Sequence, residues 1–143
     1  MKAKLGILVA VMGMGLYLAA PALAHHGFDT EYDSSKKLSL TGMVTKVSWQ
    51  NPHMRIYVDV TDEKGVVTNW NMELTSPNNI RRQGWGRNDL LPGDKVNFEV
   101  NPGKLVYSRG ALRTITKVGE NKPLFVRGGP EAEQEGYKPD AAK

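Results

Sequence analysis

Met54-Arg55-Ile56-Tyr57-Val58-Asp59-Val60-Thr61 alternates apolar and polar side chains without a break. That period of two is the mark of a half-buried strand. Asp62-Glu63-Lys64-Gly65 follows as a hairpin loop, and Val66, Thr68, Trp70, Met72 and Leu74 continue as the paired strand. Upstream, Leu38, Leu40 and Val44, then Val47 and Trp49, form a first strand with a bulge expected near Gly42, closed by an Asn51-Pro52 turn. Downstream, Ser76-Pro77 is set to start a short helix through Gln83, with Ser as cap, Pro in the first turn and Gly84 as its end. Leu91-Pro92-Gly93-Asp94 turns into Val96, Phe98 and Val100. Asn101-Pro102-Gly103 turns again, into a last strand over residues 107–118.

Three strands, a short helix and two strands define the expected fold class. It is all-β with one short helix: a small five-stranded OB-like barrel preceded by a signal peptide. Closing the sheet removes its edges and buries one face of every strand. An open β-sandwich of the same strands is the alternative. No internal repeat is visible.

The ends have a different character. Met1-Lys2-Ala3-Lys4 is a short basic start, no charge occurs from Leu5 to Ala24, and Pro21-Ala22-Leu23-Ala24 supplies the small residues of a cleavage site. That layout predicts a secretory signal peptide over 1–24 and a periplasmic protein. An uncleaved anchor helix is the rival, and Gly6, Gly13 and Gly15 argue against it. Residues 25–37 lack apolar periodicity and read as an N-terminal arm. The barrel is expected over 38–119, and the Gly-, Pro-, Glu- and Lys-rich residues 120–143 as a flexible tail.

Composition narrows the chemistry. The 143 residues allow one domain of ordinary size. Without cysteine there can be no disulfide, thiolate nucleophile or zinc ribbon. Removing Lys2 and Lys4 with the leader lowers the formal charge from +4 to +2, too little to suggest a nucleic-acid partner. No phosphate-binding glycine loop, nucleophile elbow, HExxH motif or carboxylate pair is present, so no catalytic residue is assigned.

Several short motifs recur in a fixed order: Ala24-His25-His26-Gly27-Phe28, Leu40-Thr41-Gly42, Trp49-Gln50-Asn51-Pro52-His53, Ser76-Pro77-Asn78, Gly84-Trp85 and Leu91-Pro92-Gly93-Asp94. Their joint order and spacing over residues 24–118 resemble a family of small exported bacterial proteins of unknown function, domain-of-unknown-function family 6152. Gly27 stands where the resemblance leads one to expect Ser. The resemblance implies export and a small β domain, and carries no activity.

The three histidines, His25, His26 and His53, are the candidate metal ligands. Cleavage after Ala24 would leave His25 with a free α-amine. Amine and imidazole of one residue close a six-membered chelate, and both lose their protons readily near neutral pH. An all-nitrogen tetragonal set suits Cu(II), with zinc second. His53 shares the outer face of its strand with Arg55 and Tyr57, where the arm could reach it. His26, through the intervening amide, offers a competing arrangement. Met54 could serve Cu(I) as a soft ligand, but its register, like that expected for Met43 and Met72, points to the core. An acidic arm of Asp29, Glu31 and Asp33 reads as solvated.

Three functions of different classes follow. The first is a periplasmic metal-binding protein, with copper as the cofactor, that performs no turnover. The second is a non-metal OB-like binding module, using Trp85, Arg81 and Arg87 to recognise a small ligand or an envelope protein; in the bland version Trp85 merely plugs a barrel end. A copper redox enzyme ranks last, because so small a domain offers no deep pocket. No stable membrane insertion is expected after cleavage.

Overall fold

The computed structural model describes residues 22–127, with side chains from Gly27 onward. Its helices are α1 (Ala22–Glu31) and α2 (Pro77–Arg82). Its strands are β1 (Leu38–Ser48), β2 (Arg55–Thr61), β3 (Val67–Glu73), β4 (Lys95–Asn101), β5 (Arg109–Lys117) and β6 (Phe125–Val126). α1 belongs to one compact unit, and the chain from Tyr32 onward forms the other, which holds all the strands among the described residues.

The strands bond in the order β3-β2-β1-β4-β5-β6, and β3 also pairs with β5. That last pairing is parallel, over Asn71↔Arg109, Met72↔Gly110 and Glu73↔Ala111, while the others are antiparallel. Strands one to five therefore form a closed ring rather than an open sandwich, with α2 between β3 and β4. This is an OB-type barrel. Val44, Ile56, Val58, Trp70, Met72, Val96, Phe98, Val100, Leu112 and Ile115 point inward and are buried together. Leu74, Ile80 and Leu90 extend this core beyond the strand ends.

β1 serves both sides of the ring, pairing with β4 along residues 38–43 and with β2 along residues 43–48. The bulge expected near Gly42 lies further on, between Val44 and Lys46. Parity explains the position. Leu38, Leu40, Gly42 and Val44 share one face, whereas Val47 and Trp49 have the other parity yet also pack on the core. One extra residue must therefore fall between Val44 and Val47. The same count makes Met43 an outward residue, and it is 44% exposed instead of joining the core as expected. Gly42 has another reason to be glycine: a Cβ there would run into the Asp59 carbonyl and the Val58 side chain. Met54 and Met72 are fully buried, as their register implied.

Both ends of the described chain carry more structure than composition suggested. A second helix, α1, covers part of the expected arm. Its apolar stripe is weak, so periodicity did not announce it. Tyr32 is buried and bridges to Gly103, and the Asp33 N–H donates to the Pro102 carbonyl at 2.9 Å. Buried Asn101 then fixes the approach to β1 by donating to the Lys36 carbonyl at 2.7 Å. At the other end, β6 pairs with Thr114 and Ile115, in what was read as a flexible tail from residue 120. Phe125 there is only 3% exposed and belongs to the core. Arg127 donates to the Leu112 carbonyl at 2.7 Å and the Glu73 carbonyl at 2.9 Å, joining β5 to the end of β3. The expected leader up to Pro21, and residues 128–143, lie outside the described residues.

Two outcomes follow for stability. Phe125→Ala should destabilise the fold by about 3–5 kcal/mol, the usual loss for a buried phenylalanine, read as a lower urea midpoint with an unchanged slope; an exposed tail residue would leave the midpoint in place. Asp94 is held below its ordinary 3.8 by the Leu91 N–H first and by Lys117, 3.1 Å away. A depressed carboxyl pKa stabilises the fold above the unfolded value and loses that contribution as pH falls through the folded one. Thermal stability should accordingly fall as the pH is lowered from the ordinary carboxyl value through the depressed one, and Asp94→Asn should flatten this part of the curve.

Candidate functional site

Of the residues singled out in the sequence, His53, Trp85, Arg81 and Arg87 lie at one end of the barrel, where the β1–β2 connection meets the segment around α2. Backbone bonds from Met54 N–H to the Thr75 carbonyl (3.0 Å) and from Leu74 N–H to the Met54 carbonyl (2.9 Å) tie the two together. The connection contains a cis Asn51–Pro52 bond, and Trp49 and His53 stand on either side of it.

α2 is built as its sequence implied. The Ser76 hydroxyl accepts from the Asn79 N–H, Pro77 takes the first turn, and Ile80 is buried. Gly84, at φ 92°, reverses the chain, a conformation that glycine adopts without the Cβ penalty. The reversal sends the Trp85 side chain back into the core, where it is 5% exposed, and the Trp85 backbone N–H donates to the Ile80 carbonyl at 3.2 Å. Asp89 holds the next bend by accepting from the Gly86 N–H at 2.7 Å.

Trp85 packs on half-buried Trp49 with ring centroids 6.4 Å apart and planes tilted by 52°. Two guanidiniums face the same Trp49 ring: Arg87 at 5.6 Å and Arg81 at 6.0 Å from its centroid. Both arginines are exposed, and neither is within ion-pair distance of a carboxylate among the described residues. The indole N–H groups of Trp49 and Trp85 are buried and meet no acceptor. Such groups usually find a partner, and each left without one costs about 1–3 kcal/mol. Trp85 does plug the barrel end, but the corner as a whole holds more donors than acceptors.

His53 is held differently. Its Nδ1 lies 2.6 Å from Glu73 Oε1, with the imidazole half exposed and the carboxylate 13% exposed. The other Glu73 oxygen accepts from Arg55 Nη2, and Arg55 Nη1 donates to Asn71 Oδ1 at 3.1 Å. An ionised carboxylate only accepts. Two lone pairs facing each other at such a distance would repel, so the proton between them sits on Nδ1. In the neutral ring the Nε2 lone pair is then directed away from Glu73. This carboxylate–imidazole pairing is the arrangement that orients metal-binding histidines.

Only one of the three expected histidine ligands has a described side chain. His25 and His26 fall on α1, and their side chains lie outside the described residues. Among the described residues no group of three or more histidine or carboxylate side chains is placed to hold a metal ion. Met54 is sealed in the core. Asp33, from the acidic arm, is engaged by Ser35 and Lys36, which hold its pKa below the ordinary value. Sequence reasoning missed Glu73, Arg55 and Trp49 as members of the site. The first two were within reach: a hairpin closed by Asp62–Gly65 pairs Thr61 with Val67 and hence Arg55 with Glu73.

These features define a small OB-type barrel with an aromatic and cationic corner and an anchored histidine beside it. The chain belongs to the family of unknown function DUF6152, whose model matches residues 15–112. No curated protein matches it. Among the described residues no helix is long and apolar enough to cross a membrane.

The tautomer is directly measurable. In ¹⁵N-resolved spectra recorded with His53 neutral, Nδ1 should carry the proton and Nε2 should show the shift of an unprotonated nitrogen. Glu73→Gln should shift the balance toward the other tautomer, and a protonated Nε2 in the unaltered protein would contradict the assignment.

Proposed function

We propose that this protein binds a transition metal, copper by preference, after export and trimming to a chain that begins at His25, and that it performs no turnover. The observation that carries this reading is the contact of His53 Nδ1 with Glu73 Oε1 at 2.6 Å. It supplies what a lone surface histidine lacks: a fixed ring and a set tautomer that turns Nε2 outward. His53 is thus the ligand contributed by the barrel, and the amine and imidazole of the trimmed His25 are the chelate contributed by the N-terminal segment. His26 is the competing third donor. Three or four nitrogens of this kind match the preference of Cu(II) for amine and imidazole donors in a tetragonal plane, and Cu(II) leads the divalent affinity order. Zinc fits the same donors less strongly.

The test is a Cu(II) titration of protein beginning at His25, set beside protein with one additional residue before it and beside His53→Ala and Glu73→Gln. Saturation at one equivalent is expected. Blocking the amine or removing His53 should each weaken binding by at least about tenfold, and Glu73→Gln by about 10–100-fold, the usual effect of losing a ligand's supporting carboxylate. Unchanged affinity in His53→Ala removes the barrel from the metal site. Unchanged affinity with the extra residue rules out the amine chelate.

A further inference from the structure

The corner around Trp49 uses no histidine and has an electrostatic character of its own. Four donor groups belong to this corner: the Arg81 and Arg87 guanidiniums over the Trp49 ring, and the buried Nε1–H groups of Trp49 and Trp85. None of the four has an acceptor among the described residues. The carboxylate nearest in sequence, Asp89, is turned to the Gly86 N–H. We propose that this corner is a binding site for a phosphate-class oxyanion, with Arg81 and Arg87 as its charged arms and the two indole N–H groups behind them.

The chemistry selects the ligand. A guanidinium presents a planar fork that matches an oxyanion in two parallel bonds, and stacking on an aromatic ring holds that fork in place with little hydration. Two forks and two indole donors outnumber the roughly four acceptor positions of a single carboxylate. A phosphate group offers three strongly accepting oxygens and nearly twice the charge. Access is open from the solvent side, because Arg81 and Arg87 are exposed and Trp49 is half-buried. Rigidity comes from beneath: Trp85 is seated in the core, and Gly84 together with the Asp89–Gly86 bond fixes the bend that carries Arg87.

The three tryptophans of the chain make the test selective. Trp70 packs instead against Phe98 and Tyr107, at 6.4 Å and 6.0 Å, and serves as the internal reference. Indole N–H signals of the full chain are followed by ¹H–¹⁵N spectroscopy while inorganic phosphate is added at constant ionic strength and without metal. The Trp49 and Trp85 signals should move along one saturable curve while Trp70 stays in place. The double variant Arg81→Gln/Arg87→Gln should need at least about tenfold more phosphate. The single variants should each lose part of that affinity, and they carry the test if the double variant folds poorly. Signals that do not move, or the same curve with both arginines replaced, would overturn the site. An equal response to acetate would overturn the phosphate assignment.

Discussion

Three parallel residue pairs between β3 and β5 close this barrel, and the rest of the structure depends on them. Without them the five strands would be a curled sheet with two free edges. The junction is narrow because it joins only the end of β3, which stops at Glu73, to the start of β5, which begins at Arg109. Gly110 sits in this junction opposite Met72, and its missing side chain makes room for β4, since a Cβ there would strike the Val100 side chain and the Asn101 carbonyl. Where β3 leaves β5, β6 takes its place along Thr114 and Ile115, and Phe125 fills the core behind the gap. Arg127 then bridges to the carbonyl that ends β3.

Glu73 stands at that carbonyl, and this links closure to function. Its backbone is the last residue of the parallel pairing and the acceptor for Arg127. Its carboxylate holds Arg55 on one oxygen and His53 on the other. The imidazole is therefore oriented by a group that the barrel itself holds fixed, not by another loop. A side chain supported in this way keeps its geometry without a ligand, the general condition for affinity without a large ordering cost wherever such a group does bind.

The parts that were legible in the sequence are those set by short-range pattern. Period two fixed which residues of β2 and β3 face inward, and Ser76, Pro77 and Gly84 marked both ends of α2. The bulge was also legible in principle, because the parity change between Val44 and Val47 requires it. Other features depend on contacts that no local pattern carries. A two-residue strand has no period, so β6 disappeared into a polar tail, and only its place beside β5 makes Phe125 a core residue. Trp49 read as the end of a strand, whereas its role comes from arginines more than thirty residues away in sequence.

One short connection thus carries two kinds of polar demand. His53 is backed by a carboxylate, so the charge balance behind it favours a cation at Nε2. Trp49, four positions earlier, lies under two guanidiniums with no carboxylate in reach among the described residues, and that balance favours an anion. Opposite preferences so close in sequence are stable because Glu73 is already shared by His53 and Arg55 and does not neutralise Arg81 or Arg87. The backbone bonds of Met54 to Thr75 and Leu74 pin the far end of this connection, and Trp85 packs against its near end. With both ends held, the two groups are presented as fixed features of the barrel end, each with the sign of ligand that its own surroundings leave unsatisfied.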